Sequence, residues 1–285
     1  MLQRSGHLLR SFGAVRAMAQ SAEASTAVNG ITQKPEGPLY RVILDRPEVF
    51  NAFHIPMFHE LAKALRTADS DSESKITVLS GRGKLFTAGN DLNNIGKVDS
   101  KAALEETADK LCAAVTDCFN AFIDHEKPLV CLVNGPGYGI GTTCLPLCDV
   151  VIAVDNAVFN TPFTPLGYSP EGCSTYTFNK LLGTSRAQDL LLFNRTITAK
   201  EALDWGLVAR LVPKDQFEEE TEKLLKSYSK LPKNSLRINK VMSRELEKEK
   251  LHQVHQREMK MLRERFLSEE SLEATKRFLE SRRKK

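Results

Sequence analysis

Short apolar runs alternate, up to residue 213, with segments whose apolar residues recur every three or four positions. The runs predict buried strands at 39–44, 75–80, 129–133 and 150–154. The helical spacing predicts helices over 56–68 and 101–124. Because strands alternate with helices, the pattern indicates an α/β fold with largely parallel strands.

The last part of the chain has a different pattern. Residues 215–285 contain no glycine and one proline, and they are rich in Glu, Lys, Arg and Leu. Their apolar residues recur at intervals of three and four, as at Met259, Leu262 and Phe266. We therefore predict a core over 38–214 followed by a helical region over 215–285. An apolar stripe on that region is suited to packing on the core or on a neighbouring subunit.

The first residues predict a targeting segment. Arg4, Arg10 and Arg16 are separated by apolar residues, and no Asp or Glu occurs in this stretch. Such a start is typical of a mitochondrial transit peptide, although a disordered tail can have the same composition. We predict a transit peptide over 1–22, a linker over 23–37 and a location in the mitochondrial matrix. The final residues are not a peroxisomal Ser-Lys-Leu signal, so a peroxisomal location is less expected.

Composition narrows the function classes. The 285 residues are 41% hydrophobic and carry a formal net charge of +4. The length and hydrophobic fraction are sufficient for a sizeable core. No apolar run reaches the length of a membrane span. The mild net charge does not predict a nucleic-acid partner. The six cysteines lack the spacing of a disulfide framework or a zinc site, so we expect reduced thiols and no bound metal.

Two glycine-bearing loops follow predicted strands. The loop at 86–92 reads Phe-Thr-Ala-Gly-Asn-Asp-Leu, and the loop at 134–141 reads Asn-Gly-Pro-Gly-Tyr-Gly-Ile-Gly. Glycines let the backbone approach a ligand closely and present free amide groups at the start of a helix. The second loop lacks the phosphate-loop pattern, and its match to a dinucleotide fingerprint is not persuasive. Taken singly, each loop also fits a tight turn.

Glu171 is the one charged residue in segment 161–174. Burial beside Phe163 and Leu166 would raise the pKa of its carboxyl towards the range of a general base. Alternatively, the carboxylate would cap a helix that begins near Gly172, where the helix dipole favours acidic residues. This segment alone leaves both roles open.

Together, the two loops and the Glu171 segment resemble the crotonase (enoyl-CoA hydratase/isomerase) superfamily. The resemblance covers roughly residues 38–285. Further motifs in the family's order are found at 44–47, 51–52, 133–136, 148–149, 157–162 and 199–208. The resemblance implies an α/β fold of the crotonase (ClpP-like) type, with a ββα spiral core and a C-terminal helical block. It also implies assembly as a homotrimer or hexamer.

The resemblance also implies a site. In this family two backbone N–H groups hold the thioester carbonyl of an acyl-CoA, and matching positions assign these groups to Ala88 and Ile140. The residues implied to contact the substrate are Ala88, Gly89, Asn90, Asp91 and Leu92 around the thioester, Phe163 and Leu166 as an apolar wall, and Lys84 and Arg46 as cations for the CoA phosphates. No metal or separate cofactor is implied, since coenzyme A is part of the substrate.

The chain departs from the hydratases of this family. Where those enzymes carry two glutamates, this sequence has Thr143 and Phe163. Glu171 matches the single base of the Δ3,Δ2-enoyl-CoA isomerases, and its surroundings resemble their peroxisomal-type branch, here without the acyl-CoA-binding domain that often precedes it. The resemblance therefore implies an isomerase that converts cis- or trans-3-enoyl-CoA to trans-2-enoyl-CoA in the β-oxidation of unsaturated fatty acids.

Other functions on this scaffold stay open at the level of sequence. Dienoyl-CoA isomerisation is expected to need a second acid, and hydration needs the glutamates that this chain lacks. A non-catalytic acyl-CoA-binding module needs neither. RNA binding would need a concentrated basic face, and the basic residues near the C-terminus form only a short run.

Overall fold

The structure is a computed structural model that describes residues 27–95 and 100–283. The predicted transit peptide at 1–22 lies outside the described residues. The main sheet has six strands, in the spatial order β1 (Ile31–Glu36), β2 (Leu39–Leu44), β3 (Ile76–Gly81), β4 (Leu129–Val133), β6 (Val150–Val154) and β9 (Arg210–Val212). β1 and β2 pair antiparallel, and the other neighbouring strands pair parallel. The prediction of largely parallel strands is thereby confirmed.

A smaller three-stranded sheet lies beside the main one. Its strands are β5 (Gly137–Tyr138), β7 (Val158–Asn160) and β8 (Ile197–Thr198). β5 pairs parallel with β7, and β7 pairs antiparallel with β8. Because β5 belongs to the second glycine-bearing loop, this sheet fixes that loop relative to the chain that follows β7.

The predicted linker at 23–37 is corrected by the structure. β1 (Ile31–Glu36) lies inside that range and pairs with β2 along its whole length, from Ile31 opposite Leu44 to Glu36 opposite Leu39. Polar residues and Pro35 obscure the strand in the sequence. An edge strand can contain a proline because one of its sides needs no ladder hydrogen bonds.

The helices connect the strands and form the C-terminal block. They are α1 (Ile55–Ser70), α2 (Lys101–Asp124), α3 (Ile140–Thr143), α4 (Ser174–Leu182), α5 (Thr184–Leu191), α6 (Ala199–Asp204), α7 (Phe217–Tyr228), α8 (Lys233–Phe266) and α9 (Glu269–Arg283). Single 3-10 turns occur at Pro47–Val49, Leu92–Asn94, Leu145–Leu147, Thr164–Leu166 and Lys214–Gln216. None of the helices that the structure describes combines the length and the apolar character needed to cross a membrane.

Both faces of the main sheet are buried. Successive side chains of a strand point to opposite faces, so Leu79 and Cys131 join the large core beneath α1 and α2, whereas Val78 and Val130 pack in a second cluster with Leu225 of α7. This two-sided burial explains why the central strands read as continuous apolar runs. α8 packs against α2 and anchors the C-terminal block to the large core.

Candidate active site

The two glycine-bearing loops lie side by side at the carboxyl ends of β3 and β4. Thr87 and Gly137 form a parallel bridge, and the N–H of Tyr138 donates to the carbonyl of Thr87 at 3.0 Å. Gly89 has a φ of +83°, and a Cβ at this position would lie 2.9 Å from the carbonyl oxygen of Tyr138. A side chain at position 89 would therefore push the loops apart, so glycine is required for their contact.

Two backbone amides at this junction, those of Asn90 and Ile140, have no protein acceptor among the described residues. Asn90 forms a bridge with Phe53 in which the N–H of Phe53 donates to Gly89 and the N–H of Asp91 donates back to Phe53. The N–H of Asn90 itself is therefore left out of this pairing. Ile140 is the first residue of α3, where no preceding turn supplies an acceptor.

The prediction that the N–H of Ala88 is a free donor is wrong. Its N–H donates to the carbonyl of Phe50 at 2.9 Å, so this amide is already used within the protein. The unused amide is two residues further along, at Asn90. The second predicted donor, Ile140, does have an unused N–H. Both Asn90 and Ile140 lie on the wall of one cavity.

That cavity has a volume of about 380 Å³ and a mostly apolar wall. Its wall includes Ala88, Gly89, Asn90, Asp91 and Leu92 of the first loop, together with Phe163 and Leu166. The family resemblance implied the five loop residues around the thioester and the other two as an apolar wall, and the structure brings all seven together. Their contact with a substrate stays a prediction.

The two predicted cations are not on the cavity wall described here. Arg46 is half-buried, and its Nη1 donates to the carbonyl of Ala52 at 2.7 Å and lies 3.2 Å from Nδ1 of His54. Lys84 is exposed to solvent beside the first loop. The guanidinium of Arg46 therefore braces the chain before α1. The contact of Arg46 and Lys84 with the CoA phosphates stays a prediction.

Glu171 lies on the cavity wall with only 7% of its surface exposed. Its Oε1 accepts a hydrogen bond from the hydroxyl of Thr143 at 2.8 Å. Its Oε2 is buried and has no partner within the described part of the chain. A buried carboxyl oxygen without a partner costs free energy, which singles out this side chain as a functional candidate.

The surroundings of Glu171 make it a weak acid. Burial is the main cause, and it raises the pKa of the Glu171 carboxyl to about 8. The hydrogen bond from Thr143 opposes the rise, and the nearby carboxylate of Glu258 adds to it. The alternative role as a helix cap is wrong, because neither carboxyl oxygen accepts from the first N–H groups of α4.

The turn around Glu171 has unusual backbone geometry. Gly172 and Cys173 both have positive φ angles, +70° and +62°. A Cβ at position 172 would lie 2.6 Å from the ring of Phe119 and 2.8 Å from the hydroxyl of Thr143. Glycine at 172 thus lets the turn press against α2 while Glu171 faces the cavity.

A comparison with known protein families agrees with this geometry. Residues 36–285 match the sequence model of the enoyl-CoA hydratase/isomerase family. The match covers nearly all of the part that the structure describes. The chain belongs to the enoyl-CoA hydratase/isomerase (crotonase) family. The family resemblance read from the sequence is confirmed.

Two relatives with similar sequences align over most of this chain. The sequence is 44% identical over 250 residues to enoyl-CoA delta isomerase 2 of Rattus norvegicus, covering 88% of this chain and 63% of that protein. It is 40% identical over 260 residues to enoyl-CoA delta isomerase 2 of Homo sapiens, covering 91% of this chain and 66% of that protein. The chain therefore spans less than two thirds of the length of both relatives.

A solved crotonase-family structure has the same fold. The crystal structure of enoyl-CoA hydratase/isomerase from Pseudoalteromonas atlantica T6c superposes with a TM-score of 0.80 at 30% identity. The alignment covers 88% of this chain and 97% of that chain. The predicted crotonase fold with a C-terminal helical block is thereby confirmed.

Several residues of the crotonase site were not predicted from the sequence. Thr143 was noted only for replacing a glutamate, yet among the described residues its hydroxyl is the one hydrogen-bond partner of the Glu171 carboxyl. Further unpredicted wall residues come from α2, from the C-terminal helices and from polar positions in or after β7, among them Leu111, Val115, Leu262, Phe266, Phe278, Leu279, Asn160 and Asn194. The helical residues among them carry the ordinary apolar spacing of core positions, so sequence alone offered no signal to separate them.

Proposed function

We propose that this protein is an enoyl-CoA isomerase that moves the double bond of a cis- or trans-3-enoyl-CoA to the trans-2 position. The observation that carries the proposal is Glu171, a buried carboxyl with one unpaired oxygen on a largely apolar wall, close to the loops that carry two unused amides. The relatives named enoyl-CoA delta isomerase 2 support the same substrate class.

The proposed reaction is a proton transfer from one carbon to another. The carboxylate of Glu171 takes a proton from the α-carbon, which lies between the thioester and the double bond. The electron pair of that C–H bond spreads over a dienolate, and the double bond shifts into conjugation with the thioester. Glu171 then returns the proton to the γ-carbon. A base whose pKa lies near the working pH can perform both transfers, and such catalysis is worth about 10²–10⁴ in rate.

The dienolate needs donors at its oxygen. The N–H groups of Asn90 and Ile140 are unused and lie on neighbouring loops, so we assign them to the thioester oxygen. An oxygen that becomes negative during the reaction accepts stronger hydrogen bonds than the ground-state carbonyl. One such donor is typically worth about 10²–10³ in rate.

The rival reactions find less support in this cavity. Thr143 and Phe163 occupy the positions of the hydratase glutamates, and the Thr143 hydroxyl donates to Glu171. Asp91 also lines the cavity, but its Oδ1 accepts from the backbone and side chain of Asn93 and caps the following turn. A dienoyl-CoA isomerase would need a second carboxyl free to deliver a proton.

The test is conversion of trans-3-hexenoyl-CoA by the full chain and by Glu171→Gln, with Glu264→Gln as control. Glu264 is exposed on α8 and lies outside the cavity wall. We expect turnover by the wild type and the control, and a loss of at least about 10²-fold in Glu171→Gln with CoA-ester binding retained. Binding without turnover by the wild type would favour the acyl-CoA-binding module. Formation of 3-hydroxyacyl-CoA from a 2-enoyl-CoA would favour a hydratase.

The assignment of the amide donors has its own test. An α-hydroxy acid placed at position 90 replaces the N–H with an ester oxygen, and the same change at position 88 serves as the matched control. We expect kcat to fall by about 10²–10³ at position 90, whereas the change at 88 should weaken stability through the lost hydrogen bond to Phe50. A larger loss of kcat at 88 would restore Ala88 as the donor.

We propose further that the protein acts without a separate cofactor, is imported into the mitochondrial matrix and assembles as a trimer or hexamer. The composition of residues 1–22 supports import, and fusing them to a fluorescent protein tests it. On α8, Ile238, Met242 and Leu246 are exposed at intervals of four residues, which supports a role for this helix in assembly. Light scattering of the purified chain gives the subunit number.

A further inference from the structure

A second buried carboxylate holds the turn that carries Glu171. Glu258 lies on α8 and is 5% exposed. Its Oε2 accepts from the N–H of Cys173 at 2.7 Å, and its Oε1 accepts from the N–H of Thr175 at 2.9 Å and from the Thr175 hydroxyl at 2.6 Å. Three donors from the start of α4 therefore converge on one carboxylate from a distant part of the chain.

This arrangement replaces a local helix cap. The first N–H groups of a helix have no partners within the helix and need an outside acceptor. Cys173 precedes α4 in a left-handed conformation, and its side chain provides no cap. Glu258 supplies the missing acceptor oxygens and, with its negative charge, complements the positive end of the helix dipole. The cap begins only two residues after Glu171, so the hydrogen bonds to Glu258 restrain the turn that orients the proposed base.

We propose that Glu258 is a positioning residue for the isomerisation: three hydrogen bonds to its carboxylate hold the turn that carries Glu171 against α8. As a second, electrostatic contribution, the Glu258 carboxylate adds to the rise in the pKa of Glu171 that burial causes. This inference rests on the proposed function for its consequence in catalysis. Glu258 does not line the cavity, so it acts through Glu171 and not on the substrate.

The electrostatic contribution depends on which groups near Glu171 carry a charge. The neighbouring groups are Cys118 on α2, Thr143 and Cys144 at the end of α3, and Cys173 in the turn itself. Burial raises the pKa of the three thiols, so they stay neutral at neutral pH.

On α8, His255 lies one turn before Glu258. Burial lowers the pKa of His255 to about 4, so it is also neutral at neutral pH. Burial raises the pKa of Glu258, while its hydrogen bonds from Thr175 and Cys173 favour the ionised form. Burial is the main cause of the raised pKa of Glu171, and Glu258 is the neighbouring carboxylate that adds to it.

The experiment compares the full-length wild type with Glu258→Gln, Glu258→Asp and Thr175→Val. The titration of the Glu171 carboxyl is followed by difference infrared spectroscopy and assigned through its absence in Glu171→Gln. The pH dependence of kcat and KM on 3-hexenoyl-CoA is measured in parallel. Glu258→Gln removes the charge, whereas Thr175→Val removes one hydrogen bond and keeps the charge.

We expect Glu258→Gln to lower the titration midpoint of Glu171 and to reduce the high-pH plateau of kcat by about tenfold, with little change in KM. Thr175→Val should leave the midpoint in place. If Glu258→Gln does not fold, Glu258→Asp serves instead: its shorter side chain keeps the charge but not all three hydrogen bonds, so kcat should fall while the midpoint stays.

Two results would overturn the proposal. One is a folded Glu258→Gln variant with unchanged kcat and an unchanged Glu171 midpoint. The other is a fall in kcat in Glu258→Gln that accompanies a lower Tm while the Glu171 midpoint does not move, which is the signature of a merely structural residue. Where Glu258→Asp is used instead, an unchanged kcat overturns the proposal. If the wild type lacks isomerase turnover but the Glu171 midpoint still shifts in Glu258→Gln, the proposed function fails while the coupling of the two carboxyls is upheld.

Discussion

Two buried polar clusters tie α8 to the core, at opposite ends of the parallel strands. One lies near the carboxyl ends and contains Glu171 and Glu258. The other lies at the amino ends of β4 and β6 and contains Lys127, Lys240 and Asp149. Both combine ionisable side chains with burial, yet they differ in how fully the charged atoms are paired.

The cluster at the amino ends is well satisfied. Nζ of Lys240 lies 2.8 Å from Asp149 and donates to the carbonyl of Lys127 at 2.7 Å. Nζ of Lys127 donates to the carbonyls of Ala68 and Asp71 and to the hydroxyl of Ser74. Such pairing offsets the desolvation of the charges, so we assign this cluster a structural role.

The cluster at the carboxyl ends is incomplete at one atom. Glu258 has three donors, whereas Oε2 of Glu171 has no partner among the described residues. Glu171 lies on the wall of the same cavity as Asn90 and Ile140, whose backbone N–H groups are unused. The difference teaches that burial alone does not mark a site; an unsatisfied ionisable group beside a cavity does.

The largest expected difference between the two clusters is in the pH dependence of stability. Glu171→Gln should change how the free energy of unfolding varies with pH. The pKa of Glu171 is raised from 4.5 to about 8 by burial, so the folded state binds this proton more tightly than the unfolded state. The wild type therefore loses stability as pH rises from about 4.5 to about 8. The variant should escape that loss and gain about 5 kcal/mol relative to the wild type across this window.

Urea unfolding at several pH values measures this gain, with Glu264→Gln as the control. A stability difference that stays constant with pH would contradict the raised pKa of Glu171.

A smaller effect is expected from breaking the satisfied cluster. Lys240→Met leaves Asp149 without its closest cation, although Arg244 and the N–H of Leu129 still reach that carboxylate. We expect a loss of about 2–3 kcal/mol in the free energy of unfolding, measured by urea denaturation. Lys260→Met, exposed on the same helix, is the control. The inflection of the pH–rate profile should stay in place, and a shift would mean that this cluster also tunes the site.

The smallest effect tests the one hydrogen bond that the Glu171 carboxyl makes within the described part of the chain. Thr143→Val keeps the shape of the side chain but removes the hydroxyl that donates to Oε1. That bond favours the ionised form, so its loss should raise the pKa of Glu171 further and lower the rate at neutral pH several-fold. The pH profile of kcat measures the direction. An inflection that moves to lower pH would show that the hydroxyl does not stabilise the carboxylate.

The central strands and long helices were predictable because their periodicity is local. The runs at 39–44, 129–133 and 150–154 coincide with β2, β4 and β6, and the helix predicted over 101–124 has the bounds of α2. β1 was missed because an edge strand with a proline carries a weak pattern, and its pairing with β2 is visible only in the fold. The transit peptide over 1–22 stays a prediction.

Within the site, the sequence identified Glu171, Ile140 and the loop residues through motifs, but it chose the wrong amide in the first loop. Which N–H is free depends on the pairing of Ala88 with Phe50, a contact between segments that are far apart in the sequence. The sequence could name the loop but not the donor.

The sequence by itself determined the alternation of strands and helices, the two glycine-bearing loops and the lone carboxylate at position 171, because these depend on residue type and spacing. Only the tertiary structure decided which amides are left unused, that Thr143 is the partner of Glu171, and that Glu258 of α8 caps the turn beside it. These features depend on groups that come together only when distant segments pack, and burial then sets the pKa of Glu171.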